Sequence, residues 1–168
     1  MEYPVVILLH VFSGVIWAGG AIAAGFFFLP AVLEAGPAGG VVMGGVAKRK
    51  FPIAMTAAAG MVVLTGLRLY MIRFTTTWLG SPEGIVLTLG GVLGLGAFVI
   101  GIFFQKPAVE RLSALGAKVA SSGAPPSPAQ MAEMTILRER LKRVGRLTAW
   151  HLVGASALMA SHRLAALL

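Results

Sequence analysis

Four long apolar runs alternate along the chain with stretches rich in charge, glycine or proline; they cover residues 3–33, 51–71, 84–105 and 147–168. Each reaches the roughly 20 helical residues needed to cross a hydrocarbon core about 30 Å thick. The pattern predicts an all-α integral membrane protein, a four-transmembrane-helix up-down bundle whose consecutive spans are neighbours. Span 1 is expected to end near Pro30, followed by "EAGPAGGVVMGG", which reads as a connection too flexible to hold a fixed element. Ser81-Pro82-Glu83 reads as the N-cap and first turn of span 3. Span 3 itself, "LGGVLGLGAFVIG", is rich in small residues, so a neighbouring helix, a second copy of the chain or a flat ligand can come close to its backbone.

The connection over residues 106–146 is too long for a simple loop, and its clear breaker is "SSGAPPSPAQ". Ser127 and Gln130 have capping-box spacing, with Pro128 at the first helical position. Met134, Leu137, Leu141 and Val144 follow at steps of three, four and three, while Val109, Leu112 and Val119 share a face on the other arm. These patterns predict a cytoplasmic helical hairpin between spans 3 and 4, within a single membrane domain of residues 1–168. The hairpin reads either as a connecting stalk or as a dock for a partner membrane subunit.

Composition agrees with the pattern: 57% of the residues are hydrophobic and 12% charged, which excludes an ordinary water-soluble domain. The first run is not read as a secretory signal, because "MEYP" lacks a basic flank and the run outlasts a signal core. Eleven of the fourteen basic residues fall in the first and third connections, from Lys48 to Lys50 and from Lys106 to Arg146. Only Arg68, Arg73 and Arg163 fall on the opposite side. The asymmetry predicts a multi-pass cell-membrane protein with both termini on the non-cytoplasmic side. The net charge of +8 then faces the anionic lipid bilayer surface, and nucleic acid is not an expected partner.

All three histidines fall inside predicted spans, where an ionisable group is costly and points to function. His10 comes early in span 1 and His162 late in span 4, so up-down topology puts both at one depth. Two such imidazoles can bind a single haem b iron from opposite sides, giving a cytochrome b-like protein that moves electrons to or from a quinone or a partner protein. Gly14 and the neighbouring small residues leave flat room beside His10. Arg68, seventeen uncharged residues after Lys50, is placed at the bilayer shoulder as a partner for a haem propionate. His151 lies eleven residues before His162 and on the same face, about 16 Å away along the axis. It is a candidate ligand for a second, inner haem, with Met55 as the other ligand.

Without cysteine there is no thiolate metal site and no thioether-attached haem. The eight methionines raise Cu(I) handling, yet no M-x-x-M cluster falls within a span, and packing explains them. Hydrolysis and phosphoryl transfer have no visible machinery.

The pattern "LLHVFSGVIWAGG" followed by Pro30 resembles the first helix of the copper-resistance D-like and J-type protoporphyrinogen oxidase superfamily of small four-span membrane proteins. Span 2, "KRKFPIAMTAAAGMVVLTGLRLY", is similar to the oxidase's second helix in its basic start, Met-Thr step and Thr-Gly pair. The resemblance implies a helical membrane bundle with an essential histidine at His10 and a bound b-type haem. It also implies two alternatives to the cytochrome, an oxidoreductase acting on porphyrinogen in haem synthesis and a copper-handling protein. A fourth alternative is a non-catalytic subunit of a larger membrane complex. The chain departs from the oxidase pattern after Trp78-Leu79, where Glu83 follows and a lysine is absent.

Overall fold

The fold is known from a computed structural model that describes residues 2–165 and 167, apart from the side chain of Pro37. Ala166 and Leu168 of the predicted fourth span lie outside the described residues. The chain is all-helical, with no strand among the described residues. The elements are α1 (Glu2–Ala23), α2 (Leu29–Glu34), α3 (Pro37–Lys48), α4 (Phe51–Arg73), α5 (Thr76–Leu79), α6 (Pro82–Ile100), α7 (Lys106–Ser122) and α8 (Pro128–Ala165).

Two π-helical turns, Ala24–Phe28 and Gly101–Gln105, join α1 to α2 and α6 to α7 without breaking the rods. Each turn stops two residues before a proline, Pro30 or Pro107. Proline lacks the N–H that would bond the i−4 carbonyl, and its ring crowds that carbonyl. Widening the preceding turn by one residue accommodates both defects. Span 1 therefore does not end near Pro30 but continues to Glu34.

The glycine-rich connection also differs from expectation, since α3 is a helix of 12 residues. Gly36, at φ +58°, turns the chain back, and Gly39 has no Cβ to strike the Val32 carbonyl. Flexible composition is overruled there by a close backbone approach that only glycine permits.

Three continuous helices are long and apolar enough to cross a membrane: Glu2–Glu34, Phe51–Arg73 and Pro82–Ser122. Their outward faces carry exposed Leu8, Phe12, Val15, Leu64, Leu67, Val92 and Leu95, an exterior suited to lipid. α8 does not meet the same measure of apolar length. Its first half is strongly basic, and its second half contains His151, His162 and Arg163.

α1 packs along α4 and α8, and α6 packs along α8. The shared core is Trp17, Ala58, Ala59, Ala97 and Leu152, with the Trp17 ring edge-on to Phe98 at 6.5 Å. Small residues set the spacing: Ala97 and Ala149 are fully buried. α8 also comes close to the first π turn, where a Cβ on Gly25 would lie 2.5 Å from the Gly145 carbonyl oxygen.

The two arms α7 and α8 form the expected helical hairpin. Ser127 Oγ accepts from the Gln130 N–H at 3.3 Å and Gln130 Oε1 accepts from the Ser127 N–H at 2.8 Å, a reciprocal cap. Val109 and Leu112 meet Leu137 and Leu141 in a second core that also takes in Leu29, Leu33 and Ala108. Arg111 reaches across to Glu133 at 2.6 Å.

Candidate functional site

His10 occupies the inward side of α1, half-buried, with its ring against α4. Its Nδ1 lies 3.1 Å from both the Val62 carbonyl oxygen and Thr65 Oγ1. The Thr65 hydroxyl donates to the Met61 carbonyl, so towards His10 it accepts. Both contacts therefore require a proton on Nδ1, which leaves Nε2 with its lone pair. The ring has room because position 66 is glycine; a Cβ there would lie 2.9 Å from His10 Cε1. Ser13, which is buried, donates to the Leu9 and His10 carbonyls of its own helix and offers its proton to no ligand. At Gly14 a Cβ would meet Val62 Cγ2 at 3.9 Å, ordinary contact distance, so its missing side chain opens only a methyl-sized space.

Near both described termini, at what we call the terminal end of the bundle, a cleft of about 690 Å³ is lined by Tyr3, Ile7, Arg73, Glu83, His162, Arg163 and two leucines. It is an open cleft rather than an enclosed cavity. Its floor is largely apolar and its charged rim comes from three helices. Arg73 is forked onto Glu83, with Nη1 to Oε1 at 3.0 Å and Nη2 to Oε2 at 3.4 Å. The same guanidinium stands 5.9 Å from the Trp78 ring, which lies edge-on to Tyr70. Tyr70 and Thr88 hydroxyls meet at 3.2 Å, completing the closure of α4 on α6.

His162 lines this cleft, and its Nδ1 is held 2.7 Å from the Met159 carbonyl oxygen. His10 does not line it. It comes three positions after the cleft residue Ile7, about 60° around α1 and one turn deeper. The structure thus gives His10 and His162 a common end of the bundle but not a common cavity.

Arg68 does not line the cleft either. It is turned outward onto Glu2 at 2.6 Å, and both side chains are about half exposed. The arginines at the cleft are Arg73 and Arg163. Arg73 comes five positions after Arg68, about 140° around α4, and a count of apolar residues before the first arginine fixes depth without fixing rotation.

The two inner candidates occupy different helix interfaces. Met55 packs between α4 and α1, where a Cβ on Gly20 would lie 2.8 Å from its Sδ. His151 packs between α8 and α6, where a Cβ on Gly96 would lie 3.1 Å from its Cδ2, and its Nδ1 is 2.9 Å from the Leu147 carbonyl oxygen. The structure does not bring the two together.

No group of three or more His, Cys, Asp or Glu side chains that could hold a metal ion occurs among the described residues. A closed structural zinc site needs about four such ligands, whereas an axial haem site needs at most two. A haem ligand needs a neutral imidazole with one free nitrogen and the other anchored; His10 has its Nδ1 anchored on α4 and no hydrogen bond at Nε2 among the described residues. The partners of His10 on α4 were missed from sequence, although the Thr65-Gly66 pair that forms its seat had been noted for other reasons. Tyr3, Ile7 and Glu83 were missed as cleft residues, and they become neighbours only through packing. No family model, curated protein or solved structure matches the chain.

Proposed function

We propose that the chain is a b-type haem protein of the cell membrane, working in electron transfer with a quinone or a partner protein. The observation that carries this reading is the seat of His10. A membrane-depth imidazole is anchored through Nδ1 to a neighbouring helix and keeps Nε2 for a ligand. His10 would be one axial ligand; His162, at the same end of the bundle but in the adjoining cleft, would complete the pair only after α8 turns it towards α1. Arg163 at the rim of the adjoining cleft supplies a guanidinium for an acidic substituent of the macrocycle, whereas Arg73 beside it is already engaged by Glu83. A bound haem supplies one-electron redox chemistry. The protein's own part is to fix the His10 tautomer and set the local charge.

In this reading the apolar half of α8, from Leu147 onward, is the fourth span. The hairpin lies on the cytoplasmic side and both termini lie outside. The excess of Lys and Arg around the hairpin supports this orientation. The likeness of "LLHVFSGVIWAGG" to the first helix of the copper-resistance D-like superfamily supports the same histidine as a haem ligand.

The test is the visible spectrum of detergent-purified protein, oxidised and dithionite-reduced, with His10→Ala and His162→Ala alongside. Wild-type protein is expected to show reduced b-type bands, and each variant to lose or shift them. Absence of haem bands in wild type produced with ample haem would overturn the cytochrome reading. Bands unchanged in both variants would overturn the ligand assignment alone.

A further inference from the structure

Beyond the haem reading, we infer that the hairpin arm of α8 holds an anionic phospholipid by its headgroup, through Arg140 and Arg143. This inference rests on the placement of α8 as a span but not on the haem. The side chains concerned follow one another as Ile136, Arg140, Arg143, Leu147 and Trp150, at steps of four, three, four and three. At about 100° per residue they form one stripe about 80° wide. The stripe is largely exposed: Ile136 is 68% exposed, Leu147 48% and Trp150 61%, with one edge of the Trp150 ring against Phe26 of the first π turn at 5.1 Å. Between its two arginines, Ile136 and Val144, there is a groove of about 270 Å³.

Charge complementarity selects the occupant. Every carboxylate in ion-pair range at this end is engaged elsewhere: Glu133 with Arg111, Glu110 with Lys106, and Glu34 and Glu139 with Lys142. Arg140 and Arg143 have no carboxylate partner among the described residues. Two unpaired guanidiniums converge on a groove, and an exposed leucine and tryptophan continue from it along the same face. Arg143 lies about 6 Å before Leu147 along the axis, the distance from headgroup to first acyl carbons rather than to bulk water. A phosphodiester fits the fork of two arginines, and its acyl chains fit the Leu147 and Trp150 side. The indole at 150 occupies the interfacial position such rings favour.

The experiment uses the full-length protein reconstituted in phosphatidylcholine vesicles, with Trp fluorescence quenched by brominated phosphatidylglycerol or by brominated phosphatidylcholine. The Trp150→Phe variant assigns the quenched component. Wild type is expected to prefer the anionic lipid at Trp150 by on the order of tenfold, given two arginines near the surface. Arg140→Gln with Arg143→Gln should remove that preference, while Arg49→Gln with Lys118→Gln, basic residues off the stripe, should retain it. Equal quenching by both lipids in wild type overturns the site, as does a preference that survives in the double variant. Equal quenching is also the result if the groove serves a protein partner. Quenching of Trp150 by neither lipid overturns the site together with the fourth span, whereas the other outcomes leave the haem spectrum untouched.

Discussion

At the terminal end of the bundle, Arg68 and Arg73 are held by carboxylates, Glu2 at 2.6 Å and Glu83 at 3.0 Å. At the hairpin end, Arg138, Arg140, Arg143 and Arg146 have no carboxylate in ion-pair range among the described residues. The fastenings differ as well. His10 joins α1 to α4 by polar contacts near the terminal end, whereas Gly25 and Gly145 let α8 and the first π turn touch backbone to backbone near the hairpin. Charge at one end is largely satisfied inside the protein, and packing there leaves a cleft. At the other end packing is tight, and charge is left for something outside.

The largest effect that bears on this contrast is expected from Gly25→Ala. The new methyl would sit 2.5 Å from the Gly145 carbonyl oxygen and 2.9 Å from Ala149 Cβ, and neither atom is the end of a flexible side chain. We expect a loss of about 1–3 kcal/mol, read from unfolding in detergent. A variant as stable as wild type would break the claim that close backbone contact fastens this end.

A smaller effect is expected from Gly66→Ala. Its methyl would lie 2.9 Å from His10 Cε1, and the imidazole, a movable side chain, can yield by giving up its contacts on α4. The expected cost is about 0.6 kcal/mol, the average for interhelical hydrogen bonds in membranes. It should come with a shift of the b-type bands if the proposed function holds. A cost as large as that of Gly25→Ala would make the two ends equally rigid and remove the contrast.

The smallest effect belongs to Arg68→Gln. An exposed ion pair contributes little, because solvent screens it and two long side chains must be ordered to form it. Unfolding indistinguishable from wild type is expected, with an unchanged haem spectrum. Loss of haem in this variant would restore Arg68 to the site and shift the charge argument away from Arg163.

Legibility from sequence followed the range of the interaction. The Ser127 and Gln130 cap, the Ser81 N-cap, and the pairing of Val109 and Leu112 with Leu137 and Leu141 were all readable, since each depends on spacing within a few residues or on one helical face. The glycine-rich segment that became α3 was not readable, because its order comes from Gly39 lying against the Val32 carbonyl rather than from propensity. The apolar run of span 1 was readable through residue 33, but not that its helix continues past Pro30, because widening a turn and breaking a helix leave the same proline in the sequence.

The sequence by itself determined that the chain is helical, that it carries helices long and apolar enough to cross a membrane, three of the four expected spans meeting that measure, and that its basic residues gather at the hairpin. These properties are sums over neighbouring residues, so they survive whatever the packing. Only the tertiary structure decided that His10 is seated on Thr65 and Gly66, that Arg73 rather than Arg68 lines the cleft, and that Met55 and His151 belong to different interfaces. Each of those outcomes depends on the rotation and register of one helix against another. Rotation changes by about 100° per residue, and small residues such as Gly25, Ala97 and Ala149 set it where the helices touch.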